Sequence, residues 1–571
     1  MKFLQCSIAA MASAFSLVSC VDNAYDLSDI DTTVRVDVNS LVIPINLDEI
    51  QLKSIFDIDT DDPDAKVKLI DGQYVVLVDG TFDSQDNINI GAFIISVPEL
   101  EGDHIDIAIP GGAAVTSGEF PFRTKGSKFE YHSNDIPSSI LSLKDIKGEI
   151  SLDIIIKIRG VQATGVTLKD MRIKLPKGFM VRETPQGKYD PATGIFSLNE
   201  CKTTGLTHTI KLVADGIDYE QSGAVYDYGS HSLELDDVVS TSGLISVSAS
   251  DVTGTISNLA LDVDYIFTDM DVTAISGELQ YDIEGINATD VVLNDLPDVL
   301  SQPGTNIKLV NPQLYINLKN PLYPEQRMLD VAAGITIRSY YDGVEIQEIA
   351  PDGGMIESGD DVNGEYNFCL APAEVSNDAY PNAKFVRFTK LSDILWSEDA
   401  LGMPQSLTVE FSSPYVSGDV TDLRLGQDLG IVGGKYTFYA PIALKDGSTI
   451  VYTDVMDGWS NEDLDNMTIT TLDITATITS QLPIGLDFKA YPIDVDGNQI
   501  NNVKIEGAKI AATGQPQDVK IHITGAITHL DGIRFTADAV ANSSEEVLRE
   551  DMTIKVEKVR PCVSGYYEKE L

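Results

Sequence analysis

Catalytic signatures are what this chain of 571 residues lacks first. It contains no G-x-S-x-G elbow, no H-E-x-x-H pair, no Walker loop and no G-x-G-x-x-G turn. Histidine is scarce. His104, His132, His208, His231, His522 and His529 are the full set, and no two share the close spacing of helical metal ligands. His522 and His529 can meet only across a hairpin, where surface strand positions are the simpler expectation. Bases are also few, at 40 against 88 acids, so the net charge is -48. Such a field repels nucleic acid and anionic headgroups, which argues against either as a partner. Five cysteines are too few, and too widely spaced, for a disulfide scaffold. Long apolar runs are missing too. The stretch from Phe3 to Phe15 falls short of the ~20 residues a spanning helix needs. Aromatic content, at 7%, is modest for a dedicated glycan binder.

The clearest positive signal is at the N-terminus. Lys2 precedes that short apolar run, and Leu17-Val18-Ser19-Cys20 follows it. This order reads as a bacterial lipoprotein signal, with residues 1–19 removed and the Cys20 thiol taking a diacylglycerol. Two or more acyl chains on one residue anchor firmly, so the expected first partner is a membrane, reached through lipid alone. Residues 20–35 form a tether; between Val21 and Asp31 it holds four acids and no base. This stretch resembles the acidic export signal of surface-exposed lipoproteins of the Bacteroidota. The chain as a whole resembles the large β-rich surface lipoproteins of that group, which implies an outer-membrane, cell-surface location and no particular activity. With Cys6 and Cys20 accounted for, Cys201, Cys369 and Cys562 remain, and free thiols are expected.

Period-two alternation dominates the rest of the chain. Leu152, Ile154, Ile156 and Ile158 alternate with polar or charged neighbours, as do Leu314, Ile316 and Leu318, Val519, Ile521 and Ile523, and Met552, Ile554 and Val556. One face of each run enters a core and the other meets water, the antiparallel pattern. Asp-Gly pairs at 71–72, 79–80, 342–343, 446–447 and 496–497 predict hairpin turns. The fold class expected is all-β: tandem antiparallel sandwiches with a short helical connector. The expected regions are 36–235, 236–372 and 419–571. Between them, 373–418 is a connector or insertion holding a short helix near Phe388–Trp396, with Trp396 as a plug between domains. A helical turn is expected at Ser543–Arg549. Asn311-Pro312 and Asn320-Pro321 bracket Leu314–Leu318, and the segment resembles the Asn-Pro-flanked strand of late-embryogenesis-abundant-like sandwich domains.

Two segments offer ligand chemistry. Asp57, Asp59 and Asp61 present alternate carboxylates along an extended stretch, the oxygen donors that calcium takes. The loop lacks the EF-hand glycine, and Lys68 stands where the terminal glutamate would be, so an acidic turn is the simpler reading. Asp494-Val495-Asp496-Gly497-Asn498 is a similar fragment, read first as a hairpin turn. Trp459 lies in a polar loop, Met456 to Asp463, where an exposed indole would stack on a sugar and a tucked one would pack. Together these features predict a non-enzymatic, lipid-anchored binding or scaffold protein of the outer membrane, with calcium as the only cofactor the acids suit. As alternatives stand an accessory subunit of an outer-membrane assembly or transport complex, with barrel proteins as partners, and a glycan-binding accessory of a nutrient-uptake system, with polysaccharide as ligand. A glycan hydrolase is the weakest reading, because paired carboxylates need a separation only a fold can set.

Overall fold

The computed structural model describes residues 33–43, 49–56, 62, 65–288, 290–293, 296–319, 330–357, 364–399, 402–462, 464–541 and 546–570. The described chain is mostly β, in antiparallel sheets with short helices. By its internal contacts it divides into two compact units. One comprises Met1–Gln51, Val451–Val540 and Met552–Leu571; the other comprises Leu52–Ile450 and Ala541–Asp551.

In the smaller unit, a six-stranded sheet runs in the order Thr33–Val42, Thr553–Glu570, Thr468–Ser480, Gln517–Ile527 and Lys504–Glu506, with Ile50–Gln51 also on the second strand. A four-stranded sheet contains Thr449–Met456, Gly532–Ala541, Ile484–Ile493 and Ala508–Ile510. The alternation read from the sequence explains the layer between them. Leu472, Ile474, Ile521 and Ile523 come from the first sheet, and Ala490, Ala508 and Ile533 from the second, into one buried cluster. Two sheets with opposed apolar faces can remove those faces from water only by stacking.

The larger unit is organised by an eleven-stranded sheet whose longest strand, Ile140–Arg159, turns Ile146, Ile150, Leu152, Ile154, Ile156 and Ile158 inward. Each end of this sheet faces its own seven-stranded sheet. At one end, Phe129 meets Phe267 at 4.7 Å and Phe179 at 5.7 Å, while the buried Tyr265 hydroxyl donates to Thr241. At the other end, Phe82 meets Phe411 at 4.6 Å. That second sheet runs Ile286–Ala288, Gln73–Ser84, Gly433–Pro441, Gln313–Lys319, Glu365–Ala371 and Lys384–Arg387, with Val67–Ile70 beside Gln73–Ser84. Its last two strands pair in parallel.

Several expectations meet particular outcomes. Asp71-Gly72 and Asp342-Gly343 are hairpin turns, with positive φ at both residues of each pair. Asp79-Gly80 is no turn; it lies inside the strand Gln73–Ser84. There the glycine admits the Tyr436 ring, since a Cβ at Gly80 would come 2.1 Å from it. The expected helix near 388–396 is a 3-10 turn at Thr389–Asp393, with Leu391, Ile394 and Leu395 buried. It lies inside the larger unit, as does Trp396, whose ring carries the Lys308 ammonium at 4.3 Å. The described end of the Ser543–Arg549 segment is extended rather than helical. Tyr74 donates to Leu548, and Arg549 bridges Gln73. The regions expected at 36–235, 236–372 and 419 onward all contribute to the eleven-stranded sheet. Ile140–Arg159 pairs with Ala274–Asp282, which pairs in turn with Ser406–Arg424. Local alternation carries no information about such distant partners.

Candidate functional site

A cleft of about 740 Å³ opens in the larger unit where the chain passes from one sheet to another. Phe179–Val181 is the edge strand of the eleven-stranded sheet, paired with Thr207–Asp218. The chain turns through Arg182–Gln186, where the Thr184 hydroxyl accepts from the Gln186 amide. It then becomes Gly187–Asp190, the edge strand of a seven-stranded sheet. Gly187 allows the close approach this needs, because a Cβ there would meet the Ser197 carbonyl at 2.4 Å and the Phe196 ring at 2.5 Å. Two strand edges therefore flank one opening.

Most charges lining the cleft already have partners. Arg182 donates to Asp215 at 2.6 Å and to Glu149 at 2.8 Å, and these hydrogen bonds raise its guanidinium pKa further. Asp218 accepts from the Gln221 amide at 3.1 Å and from its side chain at 2.6 Å, capping a short helical turn. Lys147 lies within 4 Å of Asp145 and Asp422. Tyr189 is different. Its hydroxyl is buried without a hydrogen-bond partner among the described residues, and burial pushes the phenol up to about 12. The neutral Tyr189 side chain, beside Met180 and Pro191, gives the cleft a wall that is partly polar and partly apolar.

The sequence-derived candidates fall elsewhere. Trp459 is 5% exposed and belongs to the core cluster of the smaller unit, beside Leu464, Met467, Leu530 and Ile533. Its backbone amide donates to the Asp531 carbonyl at 2.7 Å. The Asp531 carboxylate accepts from the amides of Gly458 and Ser460, at 3.3 and 2.9 Å. Those bonds satisfy the polar backbone of the turn and let the indole face inward, so its ring is closed to stacking by a sugar. Cys20 and the trio Asp57, Asp59 and Asp61 lie outside the described residues. Asp494 accepts from the amides of Asp496 and Asn498, the geometry of a side-chain-stabilised turn.

The three remaining cysteines are free thiols. Cys369 is buried, Cys562 lies near the Ser40 hydroxyl, and Cys201 stands 3.4 Å from His208, whose pKa burial lowers. His522 pairs with Asp473 across neighbouring strands. Sequence reasoning missed Tyr189 and the cleft. One tyrosine between Lys188 and Asp190 on a four-residue strand carries no local signal, because the cleft arises from two edges meeting.

No protein-family model matches the chain, and neither does any curated protein. Among solved structures, a protein of Parabacteroides distasonis described as secreted is similar at 13% identity and a TM-score of 0.37, covering 51% of this chain and 90% of its own. The triple-jelly-roll turret protein of an archaeal virus is 8% identical with a TM-score of 0.09, covering 82% of this chain and 90% of its own. Likenesses this slight assign neither a fold family nor an activity to the chain.

Proposed function

We propose that this chain is a non-enzymatic binding protein, held to the outer membrane by acyl chains on Cys20 and displayed on the cell surface by its acidic tether. The observation that carries the reading is the order of Lys2, the short apolar run and Leu17-Val18-Ser19-Cys20. Each β unit then presents a surface of its own. The Tyr189 cleft supports a binding role, because its walls mix polar and apolar side chains and its Arg182 is already held by Asp215 and Glu149. A partner docked there would be a protein or polymer segment of mixed polarity, as in an outer-membrane assembly.

Fractionation tests the anchor. Cys20→Ser should move the protein from the membrane fraction to the soluble one, since the acidic mature chain has no other affinity for anionic lipid. A variant that still sediments with outer membranes after a salt wash overturns the anchor. Protease treatment of intact cells should degrade the wild type, and full protection would overturn surface display. Crosslinked pull-down from solubilised membranes should recover barrel proteins in the subunit version of this reading.

A further inference from the structure

Tyr315 alternates with Leu314 and Ile316, so it belongs on the outward face of its sheet, yet it is 4% exposed. Its cover is a loop. Asn311 holds the start of that loop, with its side chain bonded to both the amide and the carbonyl of Ala373. Asn377 turns the chain, its carbonyl accepting from Tyr380 and its side chain from Ala379, each at 3.0 Å. Tyr380 then stacks on Tyr315 with ring centroids 3.9 Å apart and planes within 12°. Phe385 and Tyr439 pack around the same centre, and like Tyr380 they stay partly exposed. Three half-open rings therefore surround one buried ring on a face that periodicity assigns to water.

Beside the rings, the next cross-strand row is polar. Asn317 faces Asn367 on one neighbouring strand and Lys435 on the other. The Asn317 side chain donates to Asn367 at 2.8 Å and to Glu365 at 3.2 Å. In the first of these bonds Asn367 acts as acceptor, which leaves its own amide donors, together with the exposed Lys435 ammonium, for another molecule. Rings next to a strip of amides, an ammonium and a carboxylate match the two surfaces of a pyranose, whose C–H face is apolar and whose hydroxyls both donate and accept. Local charges on the strip are mixed, and the net charge of -48 repels a polyanion.

We propose that this face, built on Tyr380, Tyr439, Asn367 and Lys435, binds a neutral glycan chain. Sugar rings lie against the tyrosines, and their hydroxyls bond to the amide row. The proposal rests on the reading of the chain as a surface binding protein and supplies a ligand class for it. It uses residues separate from Trp459 and from the Tyr189 cleft.

The test is retention of the detergent-solubilised full chain on an array of neutral gluco-, xylo-, manno- and galacto-oligosaccharides. Wild type should be retained on at least one of them. Tyr380→Ala should cut retention about tenfold, the effect of losing one good contact. Asn367→Ala should do the same from an exposed strand position outside the Tyr380 loop, where the fold loses only the bond from Asn317, which separates recognition from loop collapse. No retention on any neutral glycan, retention on acidic glycans alone, or retention that neither variant changes would each overturn the proposal. Because the array does not depend on membrane attachment, a failure there is distinguishable from a failure of the Cys20 anchor, which fractionation reads.

Discussion

Trp459 of the smaller unit and Tyr380 of the larger unit both sit in polar connecting segments, and they end in opposite places. Around Trp459 the turn's amides are taken up by Asp531, itself buried, and the indole completes a core. Around Tyr380 the loop is shaped by Asn311 and Asn377 on the outer side of a sheet, and the ring lies on Tyr315 while staying partly exposed. Polar neighbours in sequence therefore say little about a ring's exposure. What decides is which group satisfies the backbone beside it. Where that partner is buried the ring follows it inward, and where the partner is exposed the ring stays at the surface.

Removing the larger ring sharpens the contrast most. Trp459→Ala should destabilise the smaller unit by roughly 3–5 kcal/mol, the range for large aromatics cut from cores, read as a lowered denaturant midpoint. A loss under about 1 kcal/mol would place the indole outside the core. Asp531→Ala comes next, at roughly 1–3 kcal/mol, because two turn amides lose their acceptor. This contribution depends on pH. Hydrogen bonds from Ser460 and from the turn amides hold the Asp531 carboxyl below the usual carboxylate range. Its stabilisation is therefore complete above the unfolded carboxylate pKa and is lost as pH falls through the depressed folded value. The midpoint gap between wild type and Asp531→Asn should accordingly narrow on acidification; a constant gap would contradict the bonding.

Tyr380→Ala should cost about 1 kcal/mol, as expected for one stacked pair at a partly exposed site. A loss comparable to that of Trp459→Ala would mean the two rings are equivalent, and the contrast would fail. The smallest effect belongs to Tyr189→Phe. The hydroxyl it removes makes no bond to the described protein, so stability should change by under about 0.5 kcal/mol. A clear loss would show that the phenol is satisfied in solution by a tightly held molecule.

Much of the fold was legible because one physical signal, burial of alternate side chains, acts over a few residues. Leu152 to Ile158 and Ile521 with Ile523 face inward as their spacing requires, and Asp71-Gly72 and Asp342-Gly343 turn as their tolerance of positive φ allows. The same turn rule misread Asp79-Gly80, where glycine serves the ring of a residue more than 300 positions away. Sheet membership was illegible for the same reason, since Ile140–Arg159, Ala274–Asp282 and Ser406–Arg424 meet only in three dimensions. Tyr315 alternates as an outward residue and is one, but nothing nearby in sequence announces Tyr380, 65 positions on, as its cover. Trp459 was ambiguous until Asp531 appeared beside its backbone. Leu464 and Met467, shortly after it, were the one hint of a core nearby.

The most direct test of which ring recognises a ligand compares two variants on the same neutral-glycan array, both checked for an intact fold. Trp459→Phe keeps an aromatic in the core and should retain the glycan as wild type does, while Tyr380→Ala should lose about tenfold. The reverse pattern, with binding lost in Trp459→Phe and kept in Tyr380→Ala, would contradict the account.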